Sequence, residues 1–133
     1  MSLNGIKTIR LKVLKNQKGD LLKYIDKNSK FFKKFGETYF AEIKKNYEKG
    51  WNFHKHYYCL LTVPFGKVRF TFLSNINKRK KIKVITIGKK NLSLIYVPPR
   101  IWFKFKSISK ISVIANTLNG IHKKSETLKV NID

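Results

Sequence analysis

The chain has 133 residues, a length that predicts one domain, residues 1–133, able to bury a core without disulfides. The single cysteine, Cys59, lies in an apolar run, so we expect a buried, reduced thiol and no disulfide framework within the chain. We find no secretory-type apolar core near the N-terminus and no run of roughly 20 apolar residues, which predicts a cytoplasmic protein with no membrane span.

The formal net charge is +23, from 30 Lys and Arg residues against 7 Asp and Glu residues. So large a positive charge creates an electrostatic field around the protein that favours anionic partners, of which nucleic acid is one candidate. The abundance of Lys, Asn and Ile is also what an AT-rich genome imposes, so a solvated lysine surface stays open as the alternative. The densest cluster, Lys78-Arg79-Lys80-Lys81, lies between two strand-like runs beside Asn75 and Asn77, which predicts a charged hairpin loop.

The first part of the chain alternates apolar and polar residues in short runs. Residues 6–14 predict an edge strand, and Gly19-Asp20 opens a second one at 21–25. Residues 28–34 predict a short helical turn, which Gly36 ends, before alternation resumes at 37–43. Later strands are predicted at 53–63, 68–73, 82–87, 92–96, 102–105 and 112–116. Short strands at this spacing, separated by Gly, Pro or Asn, predict an all-β sandwich or jelly roll.

The segment 49–66, KGWNFHKHYYCLLTVPFG, combines a turn glycine at each end with two alternating histidines and an apolar run. Period-two alternation from 53 to 63 predicts that His54, His56 and Tyr58 share one strand face. On the following strand Arg69 alternates with apolar residues, so its planar guanidinium is a candidate clamp for a phosphate or carboxylate. An arginine on a solvated strand face is the open alternative.

Five fragments in this order resemble the sugar-nucleotide cupins, the group of dTDP-4-dehydrorhamnose 3,5-epimerase and the dTDP-sugar 3,4-ketoisomerases. The fragments are GDL at 19–21, GETYFAEI at 36–43, KGWNFHK at 49–55, GKVRFTF at 66–72 and VPPRIWFKF at 97–105. The resemblance implies a cupin-like double-stranded β-helix, or jelly-roll barrel, usually a homodimer. It also implies binding of a nucleoside-diphosphate 4-keto-6-deoxysugar, with dTDP the favoured nucleotide, in deoxysugar synthesis for surface polysaccharide. Its chemistry would be proton transfer next to the sugar carbonyl without a cofactor.

Position by position, the chain departs from the family pattern at several polar sites. Asn52 stands where the resemblance implies the first catalytic histidine, whereas His54 keeps the second histidine of the ketoisomerase-like HxH pattern. In the later loop, Arg100 and Phe103 replace an expected glycine and histidine, and Ala115 lies nearest the epimerase's acid tyrosine. A C-terminal acidic partner aligns with Asp133. These departures leave open an epimerase, a ketoisomerase or a protein that binds without turnover.

Resemblance and strand phase together give a candidate site. His54 and His56 are the candidate acid–base residues, with a merely hydrogen-bonded barrel histidine as the alternative for His54. The candidate substrate-binding residues comprise cations for the diphosphate, aromatic walls and hydrogen-bonding groups: Lys49, Lys55, Arg69, Trp51, Trp102, Tyr39, Tyr58, Asn52 and Asn116.

A metal site and a nucleic-acid surface are the remaining alternatives. His54 and His56 have HxH spacing, but no Asp or Glu follows at 57–66 and His122 is distant in sequence, so we predict no metal. A basic barrel with exposed aromatics would bind single-stranded nucleic acid. Most aromatics, including Phe70 and Phe103, alternate in phase with Val and Ile, which predicts core positions and weighs against that alternative.

Overall fold

The computed structural model describes residues 3–76 and 79–130. Arg79, Lys80 and Lys81, predicted as part of a charged hairpin loop, are instead strand residues paired with Ile76, Asn75 and Ser74, so that prediction was wrong for them. Asn77, Lys78 and the candidate acidic partner Asp133 lie outside the described residues. The strands of the described part are β1 (Lys7–Arg10), β2 (Val13–Leu14), β3 (Leu21–Leu22), β4 (Glu37–Lys44), β5 (Glu48–His54), β6 (Cys59–Phe65), β7 (Val68–Ile76), β8 (Arg79–Ile87), β9 (Ser93–Val97), β10 (Trp102–Ser107), β11 (Ile111–Leu118) and β12 (Thr127–Lys129).

Two five-stranded antiparallel sheets form the body of the protein. One has the order β1-β9-β6-β11-β4, the other has the order β12-β5-β10-β7-β8, and β2 pairs with β3 as a separate ribbon. A single cluster of buried side chains draws on both sheets, for example Leu61 and Ile114 from the first and Phe70 and Phe103 from the second. The sheets therefore pack face to face, and the predicted all-β sandwich architecture is confirmed.

Alternation along the strands decides which aromatic rings are buried. On β10, Phe103 and Phe105 point into the core, and across β7 they meet Phe72 and Phe70 in register. All four rings are buried, as the phase with Val and Ile predicts. Aromatic rings held inside the core cannot stack on bases, so the nucleic-acid alternative is not supported.

The N-terminal predictions needed correction. The predicted strand 6–14 is interrupted after Arg10, because Leu11 donates its amide to Leu92 and the chain then pairs as the β2–β3 ribbon. The predicted helical turn at 28–34 consists instead of successive tight turns, with Ser29 bonded to Asp26 and Phe32 bonded to Ser29. This segment covers the outer face of the first sheet, where Phe31 stacks on Tyr96 with centroids 4.6 Å apart.

The prediction of one strand through 53–63 was wrong. β5 ends at His54 in one sheet and β6 begins at Cys59 in the other, so the chain crosses between sheets at 55–58. The amides of His56 and Tyr57 donate to the Glu126 carboxylate rather than to a neighbouring strand. Because the crossing breaks the period of two, the phase deduced for one end of the segment does not hold at the other.

A bulge in β5 fixes which of its side chains face inward. Phe103 pairs with Asn52, but Phe105 pairs with Lys49, so β5 contains one extra residue opposite β10. Gly50 lies in this bulge with φ +117°, and a Cβ there would lie 2.7 Å from the Phe103 carbonyl oxygen. The glycine predicted to form a turn therefore shapes a strand instead. The other predicted turn glycine, Gly66 with φ +86°, does lie in the β6–β7 turn.

Candidate active site

A cavity of about 790 Å³ opens between β5, β10 and β12 of one sheet and β4 and β11 of the other. This volume is within the range of small-molecule sites. Its apolar lining includes Leu61, Phe103, Phe105 and Ile114, and its polar lining consists of Glu37, Tyr39, Lys49, Asn52, His54, Asn116, His122, Thr127 and Lys129. Five residues predicted from sequence are thus brought together: Tyr39, Lys49, Asn52, His54 and Asn116.

His54 is the most deeply placed titratable side chain of the cavity, with 8% of its surface exposed. Its Nδ1 lies 3.3 Å from the Thr127 hydroxyl, and its ring stacks near Phe103 at a centroid distance of 6.2 Å. Burial lowers the pKa of His54, the Glu126 carboxylate opposes that effect, and the charges of His122 and Lys129 add to it. The imidazole is therefore neutral near pH 7, in the form that accepts a proton.

Tyr39 and Asn116 form the polar part of the opposite wall. They pair directly across β4 and β11, and Asn116 Nδ2 donates to the Tyr39 hydroxyl oxygen at 3.0 Å. Burial raises the pKa of Tyr39, although the Asn116 hydrogen bond acts in the other direction. The phenol keeps its proton at neutral pH, and because its oxygen accepts from Asn116, that proton is available to a group in the cavity.

The mouth of the cavity is mostly cationic. Lys49 and Lys129 line it with His122, and Glu37 is the one acidic side chain among the lining residues. Lys49 Nζ donates to the Glu42 backbone oxygen at 2.6 Å, which fixes the ammonium group at the rim. Lys129 lies directly opposite Asn52 across β12 and β5. An anionic group such as a diphosphate would find favourable charge here.

Sequence reasoning missed four polar lining residues: Glu37, His122, Thr127 and Lys129. The loop carrying His122 is held by close packing of Gly120, where a Cβ would lie 2.2 Å from the Tyr57 ring. Tyr57 also donates its hydroxyl to the Ile121 carbonyl at 3.0 Å. Thr127 begins a strand of only three residues, too short for alternation to reveal. Gly120 was the one local sequence signal for this loop, because a glycine allows the chain just before His122 to pack closely against another residue.

His56, Tyr58 and Lys55 do not line the cavity. His56 lies on the corner after β5 with its side chain 73% exposed and its Nδ1 2.9 Å from Glu126 Oε2. Tyr58 belongs to a separate cluster on the outer side of the first sheet, and its hydroxyl accepts the Lys33 amide. The prediction that His54, His56 and Tyr58 share a face was wrong, because the strand ends at His54.

Trp51, Trp102 and Arg69 lie on the outer face of the second sheet. Trp102 packs against Phe53 with centroids 4.7 Å apart, while Lys104 Nζ lies 4.8 Å above the Trp51 ring. Arg69 is exposed, because the alternate residues of β7 fill the core. These three side chains therefore do not wall or clamp a ligand in this cavity, and for Arg69 the solvated-face alternative applies.

The described residues form neither a metal-binding group nor a membrane-spanning helix. Within residues 3–76 and 79–130, no three His, Cys, Asp or Glu side chains are grouped to hold a metal ion. His54 and His56 lie on different sides of the corner, so their HxH spacing does not make a chelating pair. Across those same residues, no helix has the length and apolar character needed to cross a membrane.

Comparison with solved structures identifies the fold. No protein-family model matches the chain, and no curated protein matches its sequence. The structure of a dTDP-sugar isomerase from Desulfovibrio desulfuricans G20 superposes with a TM-score of 0.92 at 24% identity, covering 97% of this chain and 85% of that one. The sugar 3,4-ketoisomerase QdtA from Thermoanaerobacterium thermosaccharolyticum, solved with TDP, gives a TM-score of 0.80 at 17% identity, covering 96% and 88%.

A third match lies on the epimerase side of the same group. The 3,5-epimerase RmlC from Legionella pneumophila, solved with dTDP-4-keto-L-rhamnose, gives a TM-score of 0.84 at 12% identity, covering 99% of this chain and 76% of that one. The protein therefore has the cupin-like jelly-roll fold of sugar-nucleotide isomerases and epimerases. The fold implied by the five sequence fragments is confirmed.

Proposed function

We propose that this protein is a sugar-nucleotide isomerase that binds a nucleoside-diphosphate 4-keto-6-deoxysugar, most simply a dTDP-sugar, and moves a proton next to the sugar carbonyl. The observation that carries the proposal is that a buried, neutral imidazole and a protonated phenol line the same cavity from opposite sheets. His54 supplies the base, and Tyr39 supplies the donor. The product would feed synthesis of a deoxysugar for a surface polysaccharide.

His54 and Tyr39 together fit the chemistry of a 3,4-ketoisomerase. Asn52, a neutral amide, stands where the resemblance implies the first histidine of the HxH pattern and cannot take up a proton, so His54 is left as the candidate base. Ketoisomerisation needs one base. His54 removes the proton from carbon 3 while Tyr39 protonates the carbonyl oxygen of carbon 4, giving an enediol. The carbon 3 hydroxyl of the enediol then gives its proton to the Tyr39 phenolate, while carbon 4 takes the proton held by His54. The product is the 3-keto sugar.

The ligands named for similar structures support the proposed substrate class. QdtA was solved with TDP, and a histidine-to-asparagine variant of QdtA was solved with TDP-4-keto-6-deoxyglucose. For this chain we assign Lys49 and Lys129 to the diphosphate, because they give the cavity mouth its positive charge, and His122 beside them would offer a ring N–H as a hydrogen-bond donor. Asn52 and Asn116 would hydrogen-bond the sugar.

A homodimer in the cytoplasm is part of the same proposal. Apolar side chains on the strands at the two sheet edges are exposed, among them Phe40 at 71% on β4 and Ile82 at 65% on β8. A second copy of the chain would remove such surface from water. Light scattering during gel filtration tests this: a mass of one chain at micromolar concentration contradicts the dimer.

Ligand binding is tested by thermal shift with dTDP, UDP and GDP, using single-stranded DNA as the comparison, at about 0.15 M salt where surface lysine contacts are partly screened. We expect a saturable rise in melting temperature with a nucleoside diphosphate. If DNA alone stabilises the protein, and the effect weakens steeply with salt, the result contradicts the proposed site and supports nucleic-acid binding instead.

A further inference from the structure

The short strand β12 brings a hydroxyl to the base of the proposed reaction. Thr127 pairs with His54 in the β5–β12 ladder, and its Oγ1 lies 3.3 Å from His54 Nδ1. Thr127 also lines the cavity. A hydroxyl can accept a hydrogen bond from a ring N–H or donate one to a ring nitrogen, so it can select which imidazole nitrogen carries the proton.

The position of Thr127 is fixed by the residue before it. The Glu126 carboxylate accepts the amides of His56 and Tyr57 and contacts His56 Nδ1 at 2.9 Å. The Glu126 carbonyl accepts the Lys55 amide at 2.9 Å. Burial raises the pKa of Glu126, but these hydrogen bonds outweigh burial and the net shift is downward, so the group is a carboxylate. β12 is thereby tied to the corner that directly follows His54.

The same bonds explain why the partner of His54 is a hydroxyl rather than a carboxylate. The nearby carboxylate, Glu126, is committed to the corner backbone and to His56, and it acts on His54 only through its charge. A neutral hydroxyl orients the ring without the strong stabilisation of imidazolium that a directly bonded carboxylate gives. His122 and Lys129 are the other charged or titratable groups that act on His54.

We infer that Thr127 is a positioning residue that holds His54 in the tautomer with its proton on Nδ1. In that arrangement Nδ1–H donates to Thr127 Oγ1, and the lone pair of Nε2 is available to take a carbon-bound proton. The use of Nε2 as the base rests on the proposed function. The tautomer itself is a property of the free protein and is testable without substrate.

The first test is long-range ¹H–¹⁵N NMR of the His54 ring in the free protein, which reports the nitrogen that carries the proton. We expect an Nδ1–H tautomer in the wild type and in Thr127→Ser, which keeps the hydroxyl. Thr127→Val, of nearly the same volume, should shift the population toward Nε2–H. An unchanged tautomer in a folded Thr127→Val protein overturns the inference, as does an Nε2–H tautomer in the wild type.

The second test compares turnover of dTDP-4-keto-6-deoxyglucose by the same variants across pH. Thr127→Val should lower kcat on the order of tenfold and move the acid limb of the pH profile, a smaller loss than the roughly 10²- to 10⁴-fold expected when a base is removed. Thr127→Ser, which keeps the hydroxyl, should have the kcat and the pH profile of the wild type. Equal kcat and pH profile in all three proteins overturns the inference. Absence of turnover in the wild type, with the tautomer shift intact, overturns the proposed function instead.

Discussion

Tyr39 and Asn116 face each other across the β4–β11 ladder, and the buried amide of Asn116 donates to the Tyr39 hydroxyl oxygen at 3.0 Å. Asn116 Oδ1 is the one buried side-chain N or O atom of the described residues without a hydrogen-bond partner. The pair holds the phenol at the cavity with its proton free to be donated. Sequence comparison alone placed Ala115, on the adjoining strand, nearest the expected tyrosine.

Tyr39→Phe should therefore reduce turnover while leaving the shape of the cavity almost unchanged. We expect a loss of roughly 10²-fold in kcat, because the donor to the developing enolate is gone. The free energy of unfolding should fall by about 1 kcal/mol, since Asn116 loses its acceptor. Steady-state kinetics and urea unfolding measure the two effects. Tyr47→Phe, at a tyrosine 67% exposed, is the matched control and should change neither.

Lys129→Met should weaken binding of dTDP by roughly tenfold, the scale of one charge-assisted contact at the cavity mouth. Arg69→Met removes the same charge from the outer face of the second sheet and should change the affinity by less than about twofold. Isothermal titration at fixed ionic strength gives both values. A larger loss for Arg69→Met than for Lys129→Met would show that the diphosphate does not bind at this mouth.

Gly50→Ala should destabilise the protein by roughly 2 to 4 kcal/mol, because φ is +117° and the new Cβ would lie 2.7 Å from the Phe103 carbonyl oxygen. Gly19→Ala is the matched control: φ there is +131°, but no atom lies within 4 Å of the added Cβ, so only backbone strain of about 1 to 2 kcal/mol is expected. Urea denaturation compares the two. Equal losses would contradict the close approach of β5 to β10.

Stability should fall on mild acidification because of His54. Its pKa in the folded protein is below the ordinary value of 6.5, so the unfolded chain takes up the proton first. The contribution of His54 to the free energy of unfolding is fully present above pH 6.5. It decreases as the pH falls from 6.5 to the pKa of the folded protein, and it does not change further below that pKa. The slope in this window is at most about 1.4 kcal/mol per pH unit.

Urea unfolding at intervals between pH 7.5 and 5 measures this slope, with His54→Gln as the comparison that should lack it. The lowered pKa of Glu126 has its effect elsewhere, because its contribution is lost only as pH falls below the ordinary carboxyl value of 4.5. The same slope in His54→Gln as in the wild type would show that another group titrates.

The local alternation of apolar and polar residues was sufficient to predict most strands of the two sheets and most of the core residues. The alternation at 102–105 predicted β10 with Phe103 and Phe105 inward, and the run at 112–116 predicted the centre of β11. β10 pairs without a register shift along β7, and β11 does so along β4, so that a period of two holds along these two ladders. Asn116 reached the cavity for the same reason.

The candidate site was only partly predictable, because non-local contacts override the local period. The crossing at 55–58 depends on Glu126, 70 residues further along the chain, and it removed His56 from the site. The bulge at Gly50 depends on how closely β10 approaches, and it turned Trp51 outward. Thr127 and His122 reach the cavity through a three-residue strand and a packed loop, which leave almost no periodic signal.

His54 is proposed to move a proton on a sugar nucleotide bound in this cavity. The most direct measurement is ¹H NMR of dTDP-4-keto-6-deoxyglucose incubated in D₂O with wild-type protein and with His54→Gln. We predict resonances of the 3-keto isomer, or deuterium at the carbon next to the carbonyl, with the wild type and a loss of roughly 10²-fold or more with His54→Gln. Saturable binding without isomer or exchange, or unchanged turnover by His54→Gln, would contradict the claim.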